Sequence, residues 1–237
     1  MQDILDRDTP PLNKILGALP GREYERVVSK VEHSELAHGQ ILFEPEDTIN
    51  DVYFPESGIV SLLSVGEGGR KMGVGMVGKE GIVGLPVFLG FSKLANLAVV
   101  HGEGSAWKMK SIDFINLCEL GGVLPRLLHR YTHFFITQLS QVLICTRFHG
   151  LEARLVCWVL LAHDKMGTDN LAITQSALAN LLGVRREAVT TALGHLQQRE
   201  LVKMTRGNLS IIDRKGLEGA VCPCYLIAKE AGRTFLN

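Results

Sequence analysis

At 237 residues, 46% of them hydrophobic, the chain is long enough for two domains with a core each. Its 25 Lys and Arg balance 25 Asp and Glu, and a net charge of zero taken alone argues against a nucleic-acid partner. No apolar run reaches the roughly 18 residues of a membrane span, and the start MQDILDRDTPPLNK lacks a basic segment followed by an apolar one, so neither a membrane partner nor a secretory leader is expected.

Residues 13–31 have helical spacing through Ile15, Leu16, Leu19, Tyr24, Val27, Val28 and Val31, broken at Pro20-Gly21. From His33 to Lys110 the texture changes. Short apolar runs alternate with glycine and proline: QILF, DVYFP, GIVSLLSVGEGG, KMGVGMVG, GIVGLPVFLG, LANLAVVHGEG and SAWKM. Strands this short, with turns this frequent, predict an antiparallel sandwich or roll. Gly66-Glu-Gly-Gly-Arg reads as a hairpin tip, and Ser111 as the N-cap of a helix from Ile112 to Glu119.

Leu124, Leu128, Tyr131, Phe135, Gln138, Val142, Cys145 and His149 recur at alternating intervals of four and three residues. That is the seam of a helix lying along a partner helix. One chain supplies a single such helix, so a homodimer joined through Leu124, Leu128, Tyr131, Phe135, Gln138, Val142 and Cys145 is the simplest solution. A long internal helix buried by the roll is the alternative. Leu127, Phe134 and Ile144 lie off the seam and could pack on the roll. His149-Gly150 marks a hinge, and Leu151 to Met166 reads as an apolar helix.

Residues 174–212 are the most informative. A helix from Gln175 to Leu182 stops at Gly183, which can take the positive φ of a tight inter-helix turn, and a second restarts at Arg185 and runs to about Arg199. Leu178, Ala179, Leu182, Val184, Val189, Ala192, Leu193 and Leu196 give both helices an inward face. The outward face of the second carries Arg185, Arg186, Glu187, Thr190, Thr191 and His195, side chains that reach phosphates and base edges. Two short strands around Thr205-Arg206-Gly207 complete a wing. Across residues 174–215 seven cations face three anions, so positive potential is confined to one end of the chain. Asp213 to Ala220 and Tyr225 to Phe235 read as short closing helices.

The five cysteines, at 118, 145, 157, 222 and 224, have no disulfide-scaffold spacing, and a reduced, cytoplasmic compartment is the economical reading. Cys222-Pro-Cys224 could contribute to a metal or redox site, but two ligands do not close one and no sequence-adjacent partner is evident. The plainer reading is two semi-buried thiols at the start of the last helix, and no metal or other cofactor is expected.

A glycine-rich roll, a long helix and a winged helix-turn-helix in this order resemble the Crp/Fnr superfamily of bacterial transcription regulators. The resemblance rests on Thr174-Gln175, Leu178-Ala179, Leu182-Gly183-Val184, Arg186-Glu187, Val189 and Leu193 to Leu196, with Val83-Gly84-Leu85 similar to the family's phosphate-cassette turn. It implies an α+β fold: a jelly-roll-like β-roll with N-terminal helices over 1–123, a dimerisation helix over 124–149, and a winged helix-turn-helix over 150–237. It implies that Arg186 donates to a guanine edge and Glu187 accepts from cytosine N4. Thr174, Gln175 and Ser176 would hold the DNA backbone, as would Lys203 or Arg206 from the wing. Thr191 departs from the pattern, since many members carry a second reading arginine there; Arg185 partly substitutes or only touches phosphate.

The sensor departs further. Cyclic-nucleotide-binding rolls use a Gly-Glu pair and a later Arg-Ser or Arg-Thr pair to neutralise the cyclic phosphate. Here the first position reads Gly84-Leu85, and no arginine lies between Lys71 and Arg126. A candidate effector pocket of Gly84, Leu85, Phe88 and Lys93 is therefore expected to be filled by side chains or to admit an apolar effector. The first cysteine is Cys118, so the N-terminal cluster of the oxygen-sensing branch is absent, and lone histidines give haem little support. No catalytic residues are expected: His-x-His, Gly-x-Ser-x-Gly, P-loop and dinucleotide fingerprints are all missing. The leading expectation is a homodimeric regulator on double-stranded DNA, meeting RNA polymerase if it activates. The alternative is a ligand-binding module whose DNA binding requires an unknown effector.

Overall fold

Asn13 organises the first turn of the computed structural model, which describes residues 11–236; residues 1–10 of the start read above for a leader lie outside them. Its buried side chain accepts the N–H groups of Ile15 and Leu16 at 3.1 and 3.2 Å, capping α1 (Lys14–Gly17), and donates to the carbonyls of Pro55 and Gly81 at 2.9 Å each. Pro20 and Gly21 then break the helical stretch as expected, and α2 (Gly21–Val28) follows.

The glycine-punctuated segment forms β1 (Val31–Leu36), β2 (Ile41–Phe43), β3 (Asp51–Pro55), β4 (Ile59–Val65), β5 (Lys71–Val77), β6 (Leu97–Gly102) and β7 (Gly104–Lys110). They pair antiparallel in two sheets, ordered β1-β7-β3 and β2-β6-β4-β5, and the repeated crossing of the chain between them makes the expected roll. Val52, Phe54, Val60, Val77, Val100 and Trp107 lie in its core. Gly68 and Gly69, at φ 71° and 72°, turn the β4–β5 hairpin.

The run at residues 81–90 is no strand. Val83 makes one bridge to Tyr53, Gly84 turns at φ 103°, and α3 (Leu85–Phe88) follows with Pro86 in its first turn, where a missing N–H costs nothing. Ser111 does not cap α4 (Ser111–Glu119): its hydroxyl donates to the Ile49 carbonyl at 2.7 Å, tying the helix to the sheet.

The long helix, α5 (Val123–Phe148), is capped from a distance. Glu23 accepts the N–H groups of Val123 and Leu124 at 2.8 and 3.1 Å, placing a carboxylate at the positive end of the helix. Its inward face corrects the sequence reading. Leu124, Leu128, Tyr131, Gln138 and Cys145 are buried within the chain itself, Phe135 and Val142 half-buried. The heptad seam is therefore occupied by the roll and by the chain's last helix, and Leu127 and Phe134 join it there. The apolar side chains left exposed are Ile136, Leu143, Ile144 and Phe148, so Ile144 does not pack on the roll.

Gly150 separates α5 from α6 (Leu151–Met166). The rest comprises β8 (Asn170–Ala172), α7 (Gln175–Leu182), α8 (Arg186–Gln198), β9 (Val202–Thr205), β10 (Asn208–Ile211), α9 (Arg214–Ala220) and α10 (Cys224–Thr234). The wing is a three-stranded sheet ordered β8-β10-β9. After α10, Phe235 returns to α5, its ring stacked on Phe134 at 5.3 Å. Among the described residues no helix is long and apolar enough to cross a membrane.

Candidate nucleic-acid interface and sensor cavity

Burial of Leu178, Ala179 and Leu182 from α7 against Val189, Ala192, Leu193 and Leu196 from α8 fixes which side chains face out. Gly183 joins the helices at φ 65°, the left-handed conformation glycine adopts without penalty. Thr174 caps α7, its hydroxyl oxygen accepting the Ala177 N–H at 3.1 Å. Arg185 stands one residue outside α8, in extended backbone, so Arg186 and Glu187 open the first turn.

Arg186, Glu187, Thr190, Thr191 and His195 are all exposed, on one face by helical spacing. Local bonds already engage three of them. Thr190 donates to Gln175 Oε1 at 2.8 Å, Thr191 to the Glu187 carbonyl at 3.1 Å, and His195 Nδ1 lies 3.4 Å from Glu152 of α6. In the wing Gly207 turns at φ 79°, and Lys203 and Arg206 are exposed. Thr174, Gln175, Ser176, Arg186 and Arg206 line one cleft of about 490 Å³ between the two helix starts and the wing tip.

The charges sort themselves by pairing. Arg199 bonds Glu152 at 2.8 Å, and Arg214 bonds Asp164 and Glu218 at 2.6 and 3.1 Å. Among the described residues no ion pair engages Arg185, Arg186, Lys203 or Arg206, which leaves their positive charge uncompensated within the fold.

The sensor cavity, about 250 Å³, lies between the residues 82–96 turn and α5, lined by Leu62, Ile82, Gly84, Leu85, Leu94, Tyr131, Phe135 and Leu139 among others. Of the four residues expected there, Gly84 and Leu85 line it. Phe88 points elsewhere, edge-on to His129 at 4.8 Å, and Lys93 is exposed, 3.8 Å from Glu46. No charged side chain lines the cavity among the described residues, so it offers nothing to neutralise a phosphate. The Tyr131 hydroxyl is buried, and a Cβ at Gly81 would sit 2.2 Å from it, so only glycine fits.

Contacts between the roll and the C-terminal winged domain had no signal in the sequence. Lys165 of α6 bonds buried Glu80 of the roll, and a Cβ at Gly73 of β5 would lie 2.9 Å from the Leu181 carbonyl of α7. Equally unsignalled, Cys145 of α5 and His149, which caps that helix, meet Cys222 and Cys224, supplying the partners that chain spacing concealed.

A family model for the cyclic nucleotide-binding domain matches residues 33–120, and one for the Crp-like helix-turn-helix domain matches residues 153–220. Similar solved structures include a Crp/Fnr-family protein from Eubacterium rectale, at TM-score 0.68 and 18% identity, covering 85% of this chain and 94% of that one. FixK2 from Bradyrhizobium japonicum gives TM-score 0.69 at 13% identity, covering 81% and 98%. The c-di-GMP-responsive regulator CLP of Xanthomonas campestris gives 0.66 at 17% identity, covering 82% and 100%. No curated protein matches the chain.

Proposed function

Because the chain belongs to the Crp/Fnr superfamily of transcriptional regulators, joining a cyclic nucleotide-binding domain to a Crp-like helix-turn-helix, we propose that it binds a pseudo-palindromic DNA site as a homodimer. The observation that carries this reading is the cleft shared by Thr174, Gln175, Ser176, Arg186 and Arg206, flanked by cations without an acidic partner. Arg186 and Glu187 read base edges from the first turn of α8; Lys203, Arg206 and Arg185 hold phosphates. Two copies of α8, related by a two-fold axis, enter successive major grooves about 34 Å apart. The dimer forms through the exposed face of α5 that carries Ile136 and Leu143. The regulator acts in the cytoplasm and, where it activates, touches RNA polymerase.

The effector is not cyclic AMP held in the usual way, since the cavity has no cation for its phosphate. The apolar lining favours a second reading, in which a small apolar effector fills that space before DNA is bound. Selection from random duplex DNA with the purified protein and no added ligand tests both. A two-fold-symmetric motif supports effector-independent binding. Retention on DNA resin without enrichment supports the effector-dependent form, and protein that neither enriches a motif nor is retained on the resin would overturn the DNA-binding reading.

A further inference from the structure

We propose that Cys145, His149, Cys222 and Cys224 form a zinc site that fastens the start of the C-terminal helix to the end of the long helix, across the hinge. The ligand atoms of these four residues all lie within 4.8 Å of one another. Cys145 Sγ is 3.5 Å from Cys222 Sγ, and Cys224 Sγ is 3.6 Å from His149 Nδ1. Tetrahedral zinc, with Zn–S about 2.3 Å and Zn–N about 2.0 Å, needs edges of roughly 3.5–3.8 Å between its ligands.

Local structure makes this convergence possible. Cys145 lies in the last turn of α5, and His149, the extended residue that caps the helix, donates its N–H to the Cys145 carbonyl at 3.1 Å, which holds the two residues together at the helix end. Cys222 and Cys224 flank Pro223 where the chain enters α10, which presents both thiols at the start of that helix. All three cysteines are buried and the histidine half-buried, which leaves the imidazole edge as the way in. Three sulfurs and one imidazole with no oxygen disfavour magnesium and calcium and suit zinc, whose structural sites include this donor set. Loading would release thiol protons to solvent without any redox change.

Placement gives the site its consequence. Gly150 and α6 follow His149 at once, while Cys222 and Cys224 belong to the far end of the DNA-binding domain. A bound ion would therefore restrain the orientation of that domain on α5. This inference is independent of which DNA sequence the protein reads.

The test is metal content of the full chain purified under reducing conditions without chelator. One zinc per chain is expected, retained in Cys118→Ser and lost in Cys222→Ser and in Cys224→Ser. Titrating the zinc-free protein with Co2+ should give thiolate-to-cobalt charge-transfer bands and the intense visible bands of tetrahedral cobalt. His149→Cys guards against variants that merely misfold: it should still bind cobalt, with the bands shifted to longer wavelength. Folded wild-type protein that takes up neither zinc nor cobalt would overturn the proposal. So would stoichiometric iron in place of zinc, or metal uptake that survives Cys222→Ser unchanged.

Discussion

Gln138 of α5 accepts the backbone N–H of Met76 in β5 at 2.9 Å, and this bond turns the centre of the heptad seam toward the roll. A glutamine at a seam position is ordinarily a register device between two helices. Here its carbonyl takes up one N–H of the edge strand of a sheet in the same chain.

The dimer prediction follows. Ile136→Asp combined with Leu143→Asp should give monomers in sedimentation and abolish palindrome binding, with each chain still folded by circular dichroism because both side chains stand outside the chain's own core. Gln138→Ala should instead lower stability by about 1–3 kcal/mol, through the unpaired Met76 N–H. A dimer that survives both aspartates would move the interface to another surface.

Arg186 and Lys203 are expected to fail in different ways. Arg186→Ala should lose about 1–3 kcal/mol of discrimination at one base pair. Lys203→Ala should weaken every sequence alike and reduce the slope of log affinity against log salt by about 1. Equal loss on all sequences for Arg186→Ala, measured by fluorescence anisotropy, would make it a phosphate contact instead.

Much of this site was legible because it depends on local geometry. Gly183 had to be left-handed, and the period of α8 alone sorted Val189 and Leu193 inward from Arg186 and Thr190 outward. The long helix was phased correctly, since its seam residues are the buried ones, but its partner was not legible. Spacing shows which residues share a face, but not whether the partner there is another copy or the chain's own roll. Phe88 and Lys93 were misplaced for a similar reason, since a four-residue helix redirects the run in which they stand. Glu23 capping α5, Lys165 on Glu80 and the meeting of Cys145 with Cys222 join residues far apart in the chain, which no periodicity can signal.

Thr191 sets a specificity prediction. Its hydroxyl is held by the Glu187 carbonyl, so it has no bidentate donor for guanine. Thr191→Arg should gain about 1–3 kcal/mol for a guanine at the base pair facing it, visible as a new invariant position in a repeated selection. An unchanged motif would place residue 191 away from the bases.

Glu80 and Lys165 link the roll to α6. Burial alone would push the Glu80 carboxyl up; the charge and hydrogen bond of Lys165, with the Gly78 N–H at 3.1 Å, outweigh it and leave the carboxyl below its ordinary 4.5. A depressed carboxyl contributes stability above its unfolded value and loses it as pH falls through the folded one. Lys165→Met, which strands the buried carboxylate, should cost about 3–5 kcal/mol. Adding Glu80→Gln should recover most of that in urea unfolding; no recovery would mean that Lys165 acts through packing alone.

His101 on β6 gives the acid side of the stability curve a second source. Burial first, and then the nearby His38, hold its imidazole down at about 4, against an ordinary 6.5. The folded chain therefore keeps His101 neutral while the unfolded chain takes up a proton as pH falls below 6.5. Stability from this group is complete above 6.5 and is lost progressively down to about 4, by roughly 3 kcal/mol in all. His101→Phe keeps a ring in the buried site and removes the proton. Urea unfolding at a series of pH values should show a shallower decline for this variant than for the wild type across that window. Parallel curves would mean that His101 is protonated in the folded state, against its burial.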